Sequence, residues 1–124
     1  MLWLCGAFLE AGADIILTNS FGANAPRLKL HEPEDRVAEL NIVVAELARE
    51  ATREHLEDTG RRAVIAGSIG PTSDLLQPMC VLNHEDTVSI FSAQADALAE
   101  GGAEVIWIET MSSLEEVAAA AEAA

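Results

Sequence analysis

A parallel α/β fold is what this sequence predicts, and three observations predict it. Three short β-branched runs, Ala13–Thr18, Ala63–Gly67 and Ala103–Ile108, each follow a nearby glycine (Gly12, Gly60 and Gly102). They are apolar almost throughout, without the polar alternation of a half-solvated sheet, which suits strands covered on both faces. Between them lie segments with helical spacing, so the order reads α-β-α-β-α-β-α, a layout for a barrel or a doubly wound sheet. An internal repeat supports it: Glu10-Ala11-Gly12-Ala13-Asp14-Ile15-Ile16 returns as Glu100-Gly101-Gly102-Ala103-Glu104-Val105-Ile106. A helix end, a glycine cap and an entering strand are thus written twice.

The elements follow in order. Met1–Leu9 is apolar, lacks a basic leader and is closed off by Glu10 and Asp14. It is too short to cross a bilayer and reads as a buried helix. From Pro33 to Leu56 the apolar positions Val37, Leu40, Val44, Leu47, Ala48 and Ala51 mark one helical face, with Pro33 suited to the first turn and Gly60 just past the end. From Glu85 to Glu100 the face is Val88, Phe91, Ala95 and Leu98, with Asn83 as cap and Asp86 in the capping-box position. Ser112 with Glu115 opens a last, alanine-rich helix. No linker or low-complexity segment divides the chain, which reads as one domain over 1–124.

Composition narrows the function classes. The net charge is −14, from 21 acidic and 7 basic residues, with no Lys/Arg cluster. Such a surface repels phosphate backbones and anionic lipid, so nucleic acid and membrane are not expected partners. Cys5 and Cys80 lie far apart with no CxxC spacing. They are expected to be reduced thiols in a cytoplasmic protein. His31, His55 and His84 are scattered, and Met79 and Cys80 read as packing. Neither a Walker A loop nor a GxGxxG fingerprint is present.

In parallel α/β folds ligands bind at the carboxyl ends of the strands, and the unusual residues gather there. Thr18–Asn24 follows the first strand, Gly67–Asp74 the second and Glu109–Ser113 the third. Glu109 is the sharpest of them, at the repeat position matching Asn19. A carboxylate there can hold an ammonium group, since two unit charges at about 4 Å attract by roughly 4 kcal/mol at an effective dielectric near 20. A solvated strand-end Glu fits the spacing equally well. Asn19 and Thr18 can touch a ligand or merely fix the loop through Asx-type bonds, and loop structure is the favoured reading. Phe21 can wall a pocket or simply pack. Gly67 and Gly70, with Pro71, read as a turn whose backbone is closely approached.

These segments resemble the homocysteine S-methyltransferase family. Ala11–Asn24 is similar to that family's second-strand segment, with Arg27-Leu28-Lys29-Leu30 following; Ala66–Thr72 is similar to its third-strand loop, and Ile106–Ser112 to its fourth strand. The likeness runs from about Phe8 to the end and is closest to bacterial betaine–homocysteine methyltransferases. It implies a partial (β/α)₈ TIM barrel, about strands 2 to 4 with flanking helices, in a fold that needs roughly 250 residues. It implies that Glu109 binds the amino group of homocysteine and that Asn19, Phe21 and Thr72 line the pocket. The parent reaction would be methyl transfer to the homocysteine thiol, giving methionine, from betaine, S-methylmethionine or methyltetrahydrofolate. The family's first-strand Asp-Gly segment is missing from this chain. So are the cysteines of the sixth and eighth strands that hold its zinc; Cys5 and Cys80 match neither. The chain alone is therefore expected to be inactive, and to self-associate through open barrel edges. Two rivals stand beside this reading: a noncatalytic partial-barrel assembly module, and another parallel α/β barrel enzyme such as a lyase. The latter needs a Lys or metal cluster at the strand ends, which the sequence does not supply.

Overall fold

The structure is a computed structural model that describes residues 1–30, 34–72, 82–111 and 113–124. Helix α1 (Leu2–Glu10) leads to strand β1 (Ile15–Leu17) and a short helix α2 (Ala25–Lys29). A 3₁₀ turn at Glu34–Arg36 enters the long helix α3 (Val37–Thr59), followed by β2 (Val64–Ile69), α4 (His84–Gly101), β3 (Val105–Ile108) and α5 (Leu114–Ala123). The three strands form one parallel sheet in the order β1-β2-β3.

The repeat is visible in the hydrogen bonds. At the end of α1 the Gly12 amide donates to the Leu9 carbonyl and the Ala13 amide to that of Phe8; ninety positions on, Gly102 donates to Ala99 and Ala103 to Leu98. Gly12 and Gly102 turn the chain with φ of 100° and 112°, a region open to glycine and strained for other residues. Gly60 does the same after α3 at 73°. Each repeat places an acid at the strand entrance, and an arginine from the β2 approach meets each: Arg61 pairs with Asp14, and Arg62 with Glu104.

Register divides the sheet into two faces. Ile16, Ile65, Gly67, Ile69, Ile106 and Ile108 face the helices, while Ile15, Leu17, Val64, Ala66, Ser68, Val105 and Trp107 share the opposite face. Both core clusters lie on the helix side. One gathers Cys5, Leu9, Ile16, Ala48, Ala51 and Ile65; the other gathers Ala45, Ile69, Phe91, Leu98 and Ala119. The opposite face is open on its outer strands, with Ile15 and Trp107 each 45% exposed, while Ala66 and Ser68 of the central strand are buried. The expectation of strands covered on both faces therefore holds for β2 and is corrected for β1 and β3, whose residues on this face have no covering element among the described residues. The N-terminal helix also departs from expectation. Only Cys5 and Leu9 are buried, while Trp3 and Phe8 face solvent.

Helix α3 buries Ala48 and Ala51 of the expected face, but its other deepest positions are Asn41, Ala45 and Thr52, with Val44 and Leu47 only half-buried. The cause is close packing against α4: a Cβ on Gly101 would come within 2.5 Å of the Ile42 carbonyl oxygen and 2.7 Å of the Ala45 Cβ. Small residues win the centre of such a crossing because larger ones would hold the helices apart. Asn83 caps α4 as expected, accepting from the Asp86 amide at 2.8 Å. The cap of α5 is Ser113, which accepts from the Glu116 amide at 3.1 Å; Ser112 lies outside the described residues, as do Pro33, His31, Met79 and Cys80. The short helix α2 was not foreseen.

Candidate functional site

At the carboxyl ends of the strands three polypeptide segments converge, tied together mostly by buried polar side chains. Ser68, near the end of β2, is central and only 2% exposed. Its amide donates to Thr18 Oγ1 at 3.0 Å, and its carbonyl accepts from Ser20 Oγ at 2.7 Å. Thr18 and Ser20 hydroxyls lie 2.6 Å apart. Since Ser20's one hydroxyl proton goes to the Ser68 carbonyl, Thr18 is the donor between them. The Ser68 hydroxyl donates in turn to Glu109 Oε1 at 2.6 Å.

Glu109 is thereby fixed on the open face of the sheet, continuing the alternation of Val105 and Trp107 one step past β3, with its backbone amide bonded to the Ile69 carbonyl. Its side chain is half-buried. The next residue, Thr110, has φ of 57°. A β-branched residue rarely adopts that conformation, which stores on the order of 1–3 kcal/mol. Such strain concentrates where a loop must leave a strand in one direction. Asn19 occupies the matching position past β1 and is exposed. Glu109 and Asn19 therefore share the open face past the two outer strands, with Ser68 of β2 between them.

Phe21 is half-buried and packs across the second loop. A Cβ on Gly70 would come within 2.4 Å of the Phe21 ring and 2.7 Å of its carbonyl oxygen. The Gly70 amide donates to that same carbonyl at 3.1 Å, and the Arg27 guanidinium lies over the ring, 5.4 Å from its centroid. The close approach anticipated at Gly70 is thus the approach of Phe21. That at Gly67 is α4, where a Cβ would meet Leu98 at 3.1 Å. Thr72 faces the helix layer instead of the open face. It is 1% exposed, and both its amide and its hydroxyl donate to Glu116 Oε1 at 2.8 Å.

Several residues that build this region escaped sequence reading. Asn24, fully buried, accepts from the Arg27 amide to cap α2 and donates to the Gly70 and Pro71 carbonyls. The Asn-x-Pro pattern at 24–26 is a helix-start signal that was available. Gln94 reaches from α4 to the Ser20 carbonyl at 2.7 Å and to Asn41, which itself donates to the Ala23 carbonyl. Ser68 and Glu116 had no local signal, since their partners lie 41 and 44 positions away.

A metal is not suited to these residues. Among the described residues no group of three or more His, Cys, Asp or Glu gathers. Cys5 is buried on α1 in the helix-side core, and burial pushes its thiol above the ordinary range, against formation of the thiolate that binds zinc. No helix is long and apolar enough to cross a membrane.

A parallel sheet backed by helices, with a polar cluster at its strand ends, defines a parallel α/β domain of the kind that carries its sites at the carboxyl ends of the strands. The family model for homocysteine S-methyltransferase matches residues 4–124, and the chain belongs to that family. A methionine synthase from Mycobacterium tuberculosis is 33% identical over 116 residues, covering 91% of this chain and 9% of the relative. The Escherichia coli homocysteine methyltransferase MmuM, solved in metallated and oxidised forms, superposes with a TM-score of 0.83 at 24% identity. That match covers 98% of this chain and 46% of the metallated MmuM chain, so the fold here is a partial (β/α)₈ barrel spanning less than half of its solved relative.

Proposed function

We propose that this chain supplies part of the amino-acid pocket of a homocysteine S-methyltransferase, with Glu109 as the carboxylate that holds the substrate ammonium. The observation that carries this reading is the Ser68–Glu109 hydrogen bond, which orients an acid on the open face at the strand ends. On this reading Asn19 and Phe21 line the pocket with it, and Thr72 serves through Glu116 by holding the second loop. The parent reaction is methyl transfer from betaine, S-methylmethionine or methyltetrahydrofolate to the homocysteine thiol, giving methionine. Zinc, when held by the family's cysteines, would supply the thiolate; no residue described here suits that task, and the chain alone carries no turnover.

Two measurements test the reading. Incubation with zinc, homocysteine and betaine should yield no methionine above the protein-free rate, and robust turnover would refute it. Heteronuclear NMR titration with L-homocysteine should move the Glu109 and Asn19 signals in the wild type. Glu109→Gln should weaken that response about tenfold, since a hydrogen-bonded contact to a half-buried charged group is worth about 1.5 kcal/mol.

The open apolar face favours a second reading, an assembly module whose face is covered by another chain. Leu17 and Val105 stand exposed on it, and β1 and β3 each have one side without a strand partner among the described residues. Mixed assembly with a chain bearing the family's cysteine strands would support this reading; failure of the two to associate would remove it.

A further inference from the structure

We propose that Ser68 is a positioning residue that sets the carboxylate of Glu109 for an incoming α-ammonium group. The inference deepens the reading above and rests on it. Glutamate has three rotatable side-chain bonds, and one free to rotate at a strand end would lose that freedom on binding a ligand. Here the freedom is already restricted. The Ser68 hydroxyl donates to Oε1, leaving Oε2 and the remaining lone pairs of Oε1 for a ligand. Restricting the acceptor beforehand reduces what is lost on binding.

Ser68 is itself held at every polar atom. Its amide is bound by Thr18, its carbonyl by Ser20, and the Ser20 carbonyl by Gln94 from α4. The first-strand loop therefore reaches Glu109 across the second strand, through one hydroxyl. An alanine at 68 would keep the backbone bonds and the burial and remove only that last link. A threonine would keep it. The substitution pair thus separates orientation of the acid from stability of the strand.

The test uses the chain as it is, with L-homocysteine under reducing conditions as the probe. Wild type, Ser68→Ala, Ser68→Thr, Glu109→Gln and the Ser68→Ala/Glu109→Gln double variant are titrated by heteronuclear NMR, whose backbone dispersion also reports folding. Ser68→Ala should weaken binding about fivefold, with the charge-assisted bond lost but the acid still solvated. Ser68→Thr should restore it to within about twofold, and adding Ser68→Ala to Glu109→Gln should change nothing further. Without any ligand, the Glu109 side-chain carboxyl carbon should shift in Ser68→Ala and stay in place in Ser68→Thr. Wild-type affinity and an unmoved Glu109 carbon in Ser68→Ala, beside lost binding in Glu109→Gln, would overturn the role of Ser68 and leave the ammonium site standing. A wild-type chain whose Glu109 and Asn19 signals ignore homocysteine would overturn the site and the role of Ser68 with it.

Discussion

Replacing Gly70 with alanine is the sharpest test of how the strand-end region is built. The added Cβ would lie 2.4 Å from the Phe21 ring and 2.7 Å from the Phe21 carbonyl oxygen. A ring can rotate away. A backbone carbonyl cannot, because Gly70's own amide is bonded to it at 3.1 Å. The first loop must therefore move off β2. That overpacking costs about 1–3 kcal/mol. The Gly70–Phe21 hydrogen bond goes with it, for about 1 kcal/mol more. The sum, about 2–4 kcal/mol, corresponds to a fall in Tm on the order of 10 °C for a domain of this size. Thermal unfolding followed by circular dichroism reads it directly. The Asn24 bonds to the Gly70 and Pro71 carbonyls should also loosen, visible as faster exchange of the Arg27 amide. A Gly70→Ala variant melting within about 2 °C of wild type would refute the close approach.

Other outcomes follow from the same contacts. Glu116→Ala leaves the buried Thr72 amide and hydroxyl without their acceptor, so it should lose about 2–3 kcal/mol by urea denaturation, whereas Glu116→Gln keeps an acceptor oxygen and should lose less. Thr110→Gly removes the positive-φ strain and should raise stability by about 1 kcal/mol in the same assay. The Cys5 thiol is raised by desolvation. Its contribution to stability is present below the unfolded thiol value of about 8.5 and is lost as pH climbs through the higher folded value. The urea midpoint should therefore fall more steeply above about pH 8 in wild type than in Cys5→Ala. The open sheet face should drive association opposed by the charge of −14, so sedimentation should show larger species growing with added salt; a monomer at every salt concentration would contradict this.

What the sequence disclosed, and what it withheld, divides along sequence distance. The three strands, their parallel order and the glycine-capped repeat were legible because each is written in adjacent residues: Phe8, Leu9, Gly12 and Ala13 suffice to specify one cap, and their counterparts ninety positions later specify the other. The strand-end location of Glu109 was legible for the same reason. The deep line of α3 was legible only at Ala48 and Ala51; Ala45 was not, because it is buried by a glycine on another helix, and hydrophobic size misleads where two backbones meet closely. Nor was the way the loops are fastened. Ser68, Asn24, Gln94 and Glu116 all act on partners more than forty positions away, and single polar residues in apolar surroundings announce no partner. Thr72 shows the same limit: the resemblance implied a pocket residue, but nothing local announced that its hydroxyl donates to Glu116.

One comparison goes to the centre of the matter. The chain is titrated separately with L-homocysteine and with 4-mercaptobutanoate, which keeps the thiol and the carboxylate but has no amino group. If carboxylate 109 receives an ammonium, only homocysteine should perturb its signal and that of Asn19, and Glu109→Gln should erase the difference between the two compounds. Equal responses to both, or responses confined to residues away from the strand ends, would contradict the proposed pocket.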